Sequence, residues 1–86
     1  MSRAADTIQV GTHTSTDTAA SITGIPTGVI DSLFQVATGT IYWGDATSQP
    51  FSLVPGQSIG IAINDPTKIY WKTASGTAVI NWFVRK

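Results

Sequence analysis

Between Ser58 and Val84 the chain repeats one pattern, short runs with apolar residues at every second position, cut by turn residues. Ile59, Ile61 and Ile63 alternate with Gly60 and Ala62 until Asn64-Asp65-Pro66 breaks the run. Lys68-Ile69-Tyr70-Trp71-Lys72 resumes it, Ala74-Ser75-Gly76 interrupts it, and residues 77–84 carry the last run. A period of two puts alternate side chains on one face of a strand, so the segment reads as a β-meander.

The same punctuation extends upstream. Residues 7–11 read as a first strand with Ile8 and Val10 facing inward, followed by threonine at 12, 14, 16 and 18, a polar edge strand or loop. Residues 19–22 could pair briefly before the turn signal Thr23-Gly24-Ile25-Pro26-Thr27-Gly28. Residues 29–37 form a longer strand with Ile30, Ser32, Phe34 and Val36 on one face. Residues 40–44 form another, and residues 50–54 an edge strand bounded by Pro50 and Pro55-Gly56. Seven to eight short strands predict an all-β chain: one small antiparallel β-sandwich, jelly-roll-like, or a barrel. The sandwich domain is expected over residues 7–86, with residues 1–6 as a flexible N-terminal arm.

Composition agrees. All five acids are aspartate, so the glutamate that favours exposed helix faces is missing, and thirteen threonines supply polarity suited to strands. A chain of 86 residues makes one domain that buries roughly 60% of its unfolded surface, a thin margin. Such domains gain support from disulfides, metal or oligomerisation. Cysteine is absent and His13 is the sole histidine, which leaves self-association. A net charge of zero gives no footprint for nucleic acid or an anionic membrane. No run approaches the ~20 apolar residues of a membrane span, and the first residues carry no secretory signal. Synthesis and folding in a cytoplasm are expected.

Candidate chemistry is sparse. His13, Ser15 and Asp17 would point the same way along a strand, yet residues two apart sit ~7 Å apart, beyond hydrogen-bond reach. His13 is expected to be an exposed polar residue. Asp45 and Asp65 stand in turn contexts, and no Asp-x-Asp-x-Asp run offers a calcium loop. Gly56-Gln57-Ser58-Ile59-Gly60 lacks the spacing and the lysine of a phosphate loop. Lys68, Tyr70 and Lys72 share a strand face, where lysines oppose edge pairing. No catalytic residue, cofactor site or metal site is expected, and the chain is read as a non-enzyme.

Ile41-Tyr42-Trp43 recurs as Ile69-Tyr70-Trp71, which implies two equivalent strands, in facing sheets. In each, Ile and Trp share a face and Tyr takes the other. Trp43 and Trp71 are therefore core candidates. The tyrosines suit burial against another subunit. The interface candidates are Tyr42, Tyr70 and Trp82, with Arg85 and Lys86 available for a terminal salt bridge.

Leu53-Val54-Pro55-Gly56-Gln57-Ser58-Ile59, followed by Lys68-Ile69-Tyr70-Trp71-Lys72-Thr73-Ala74-Ser75-Gly76-Thr77-Ala78-Val79, resembles the C-terminal half of small virion proteins of tailed bacteriophages. The resemblance covers residues 50–84. It implies a capsid decoration or cement protein, or a head appendage, that binds the assembled shell as a homotrimer. The implied partners are the chain itself and the major capsid protein, with no nucleic acid and no membrane. The implied location is the virion, assembled in the host bacterial cytoplasm. A carbohydrate- or receptor-binding module of a fibre or appendage, using surface aromatics, is the alternative.

Overall fold

A computed structural model describes residues 7–86; the arm expected over residues 1–6 lies outside the described residues. The strands are β1 (Ile8–Ser15), β2 (Asp31–Thr38), β3 (Ile41–Gly44), β4 (Phe51–Leu53), β5 (Ser58–Ile61), β6 (Tyr70–Lys72) and β7 (Ala78–Arg85). They form a four-stranded sheet in the order β1-β7-β2-β5 and a three-stranded sheet in the order β4-β3-β6, with every pairing antiparallel. The two sheets share no ladder, so the expected all-β sandwich forms as two layers rather than a closed barrel.

The period-two pattern decides which side chains meet between the layers. Ser32, Phe34 and Val36 of β2 and Ala78, Ile80 and Val84 of β7 are buried from one sheet. Ile41 and Trp71 are buried from the other, with Ile69 just before β6. The connection over residues 16–30 adds Ile22, Ile25 and Val29 to the same core. Rings cross the layer from the β4 edge inward: Phe51 to Trp43 at 4.9 Å, Trp43 to Trp71 at 6.1 Å, Trp71 to Phe34 at 4.8 Å. Offset aromatic pairs at these separations add stabilisation beyond their buried area.

Four expectations change. The run from Ser58 is not a meander: β5, β6 and β7 never neighbour one another, and each successive strand crosses to the other sheet. Its connections, residues 62–69 and 73–77, are longer than tight two-residue hairpins, and the first holds a 3-10 turn at Pro66–Lys68 capped by Asp65. The repeated Ile-Tyr-Trp strands do not face each other across the core; β3 and β6 are neighbours, with Trp43 directly opposite Trp71. Residues 19–22 contribute a single bridge, Ala20 to Trp71, which covers the outer edge of β6.

The fourth concerns β1. Ile8 and Val10 point outward, 62% and 69% exposed, because Gly11 lies opposite Trp82 in the ladder. The indole lies across the inner side of Gly11, where a Cβ would overlap its ring. Only the glycine parity leaves room for Trp82, and the odd-numbered residues of β1 follow it inward.

Candidate functional site

The register places four apolar side chains together on the solvent side of the four-stranded sheet. Val10 pairs with Phe83, Phe83 with Leu33, and Leu33 with Gly60, so one row crosses the whole sheet. Ile8 stands beside it on β1. At ~4.8 Å per strand the row runs about 10 Å from Val10 to Leu33 and then flattens at Gly60, which has no side chain. Leu33 is 44% exposed, and Phe83 is half-buried. Water therefore covers a patch that a core would normally cover.

Polar groups frame the patch on both sides. Toward the end of β7, Arg85 Nε donates to Asp31 Oδ1 at 2.7 Å and Nη2 donates to Oδ2. These bonds hold the Asp31 carboxyl below the usual carboxylate range and the Arg85 guanidinium above its own. On the other side lies the row Thr12, Asn81, Gln35 and Ser58, with Thr12 Oγ1 donating to Asn81 Oδ1 at 3.1 Å. Between the rows runs a shallow groove of about 370 Å³, lined by Val10, Thr12, Leu33, Gln35, Asn81 and Phe83 among others. The patch thus has an apolar centre and a polar rim, with an ion pair on one side and uncharged side chains on the other.

The interface candidates read from sequence are divided between the two sheets. Tyr42 lies opposite Lys72 and Tyr70 opposite Gly44, so both tyrosines share the outer face of the three-stranded sheet, half-buried. Trp82 turns to the inner side of the four-stranded sheet instead of an open surface, packing half-buried against the core. Arg85 is already engaged by Asp31 within the chain. Lys86 exchanges backbone hydrogen bonds with Thr7, at 3.1 and 2.9 Å. Beside Tyr42 a second dent of about 370 Å³ is lined by Asp17, Gln49, Lys72, Thr73 and Ala74.

His13 is half-buried on the inner face of β1, not exposed, and burial pushes its imidazole pKa below 6.5. Ser15, two residues on, is fully buried, whereas Asp17 lies past the strand end and is exposed. His13 Nε2, Ser15 Oγ and Trp71 Nε1 are buried without a hydrogen-bond partner among the described residues. The imidazole and the hydroxyl therefore do not bond to each other, and no relay links them to Asp17. Among the described residues no group of three His, Cys, Asp or Glu side chains lies close enough to hold a metal ion. Lys68 sits in the 3-10 turn, leaving Tyr70 and Lys72 as the outward pair on β6.

The chain matches no described protein family, no curated protein and no solved structure.

Sequence reasoning missed the apolar row. Leu33 falls on the face of its strand opposite Phe34, but the pattern places Val10 inward, and Phe83 lies fifty positions from Leu33 (83 − 33). The signal was local: Val79, Asn81, Phe83 and Arg85 alternate with Ile80, Trp82 and Val84, so β7 is apolar on both faces in part.

Proposed function

We propose that this protein is a non-enzymatic virion structural protein of the decoration or cement type, which binds an assembled shell through the outer face of its four-stranded sheet. The observation that carries the reading is the solvent-facing row Val10, Phe83 and Leu33 with Ile8 beside it. Contiguous apolar surface rimmed by polar groups marks an association site, and such a site needs no reactive group. Binding an assembled shell, and not its free subunits, stabilises that shell by mass action. The resemblance of residues 50–84 to small tailed-phage virion proteins supplies the shell as the partner.

The test is immuno-electron microscopy of intact virions together with sedimentation of shells mixed with purified protein. The expected result is that the protein travels with the shells, and that Leu33→Asp abolishes this while remaining folded. Protein left in the supernatant, or unaffected binding by Leu33→Asp, counts against the reading.

The dent beside Tyr42 favours a second reading, a carbohydrate-binding module. A tyrosine ring flanked by the carboxylate of Asp17, the amide of Gln49 and the ammonium of Lys72 offers both a stacking surface and hydrogen bonds to hydroxyls. Strong hits on a glycan array that vanish in Tyr42→Ala would move the assignment there.

A further inference from the structure

The four-stranded sheet ends at β1, and the ladder phase shows which of its backbone groups are left open. Thr7 N–H donates to Lys86 C=O and Lys86 N–H to Thr7 C=O, so Thr7 and Lys86 form a doubly bonded pair. Doubly bonded and open pairs alternate along an antiparallel ladder. Gln9, Gly11, His13 and Ser15 therefore spend their backbone groups on β7. Ile8, Val10, Thr12 and Thr14 aim theirs away from the sheet. All four are exposed, and all four are β-branched, the residue class best suited to a strand. Among the described residues nothing pairs with that edge.

Edge strands are ordinarily blunted by being short, by proline, by lysine or by a bulge. The edges at β4 and β5 are three and four residues long. β6 is covered by Ala20. β1 has eight residues, carries no proline and no Asp, Glu, Lys or Arg, and keeps an unbroken register with β7. It is the one long edge among the described residues without such protection.

We propose that β1 pairs antiparallel with β1 of a second copy, about a two-fold axis beside Gly11, joining two four-stranded sheets into one of eight. This goes beyond the shell-binding reading and uses the sheet edge rather than its face. The occupant follows from self-complementarity. A two-fold normal to the sheet keeps the outer faces on one side and sets Ile8 opposite Thr14 of the second copy and Val10 opposite Thr12. Each such pair exchanges two bonds, so the four open residues of each copy are all satisfied. Gly11 meets its twin in an unbonded position, where Cα atoms approach to ~4.5 Å. With no formal charge on the strand, no like-charge repulsion opposes the pairing. Eight residues make a contact strip about 27 Å long, which belongs with small, weak interfaces. The dimer is therefore expected in the micromolar range. It closes at two copies, which distinguishes it from a trimer.

Sedimentation equilibrium of the full chain from 1 to 200 µM, with amide hydrogen exchange, tests this. The expected result is a monomer–dimer equilibrium in which the Val10, Thr12 and Thr14 amides gain protection as the dimer fills. Val10→Lys places a charge on the edge, and Val10→Pro removes an outward N–H that β7 does not use. Both are expected to be monomeric at 200 µM with unchanged near-ultraviolet circular dichroism. A wild type that is monomeric or trimeric at 200 µM overturns the proposal, and so does a dimer that survives in either folded variant. A monomer whose Val10 and Thr12 amides are already protected also overturns it, because another segment of the same chain then occupies the edge. Shell binding is read separately on Leu33→Asp, so loss of the dimer alone leaves that reading standing.

Discussion

Three strands contain a glycine, at Gly11, Gly44 and Gly60, and none of the three has a positive φ. The backbone alone would accept alanine at each, so the outcome depends on what the added methyl meets. At Gly44 it would overlap the Ser48 carbonyl oxygen and lie 2.9 Å from Gln49 Cα and 3.0 Å from Pro50 Cδ. These are backbone and ring atoms with no freedom to swing aside, against an ordinary carbon contact of ~3.5–4.0 Å. The loop they belong to is pinned on Asp45: Ser48 N–H and Thr47 N–H donate to its Oδ1 at 2.8 and 2.9 Å, and Gln49 Nε2 donates to its C=O at 2.6 Å. Overpacking costs about 1–3 kcal/mol. Losing one of the Asp45 bonds adds about 1 kcal/mol. Gly44→Ala is thus expected to lose about 3 kcal/mol, or roughly 12–24 °C of melting temperature for a domain this small. At Gly60 the nearest atom, Ser32 C=O, stands 3.8 Å away, an ordinary contact. Gly60→Ala is expected to gain about 0.4–1 kcal/mol by restricting the unfolded chain. Gly11→Ala falls between, since the added methyl would overlap Cζ2 and Cε2 of Trp82, and relief requires a half-buried side chain, rather than backbone, to shift. Urea unfolding followed by tryptophan fluorescence measures all three. The reasoning fails if Gly44→Ala unfolds within 0.5 kcal/mol of wild type, or if Gly60→Ala is as unstable as Gly44→Ala.

Two further predictions concern the buried polar atoms. His13 has a folded pKa below 6.5, so the unfolded chain binds its proton more readily. The stability this neutral form contributes is complete above pH ~6.5 and declines as the pH falls from there toward the folded value. Melting temperatures between pH 7.5 and 5 should show that decline in wild type but not in His13→Gln; a slope that persists in the variant refutes the assignment. Trp71 is fully buried, yet its N–H has no partner. Trp71→Phe removes that unmet donor, worth about 1–3 kcal/mol, against a smaller cavity cost, so it should fall within about 1 kcal/mol of wild type. Trp71→Ala should cost about 3–5 kcal/mol. Equal losses in the two variants, read by urea unfolding with circular dichroism, would contradict this.

What the sequence revealed was face, and what it hid was neighbourhood. The buried set Ser32, Phe34 and Val36 was readable because a period of two maps directly onto the two sides of a strand. Ile41 with Trp43, and Ile69 with Trp71, followed the same rule. Which strands lie side by side is fixed by long-range pairing, to which the period is blind, so a run of three strands looked like a meander. In β1 even the face does not follow from the period: Ile8 and Val10 are only two apolar votes, and they yield to the bulk of Trp82, seventy-one positions beyond Gly11 (82 − 11). The candidate site inherits that limit. Its apolar row is assembled from three strands and exists only once the register is set.

β7 lies between β1 and β2, which do not touch each other within their sheet. The final strand of the described chain is thus the keystone of the larger layer. On a ribosome, β1 and β2 can have no sheet partner in β7 until Arg85 has left the exit tunnel. Ile8 must then find a residue seventy-seven positions away (85 − 8). Pairing at such separation makes folding slow, and it leaves Phe34 without its β7 neighbours until that strand has emerged. The nascent chain, more than the finished protein, is the form that would call on a chaperone.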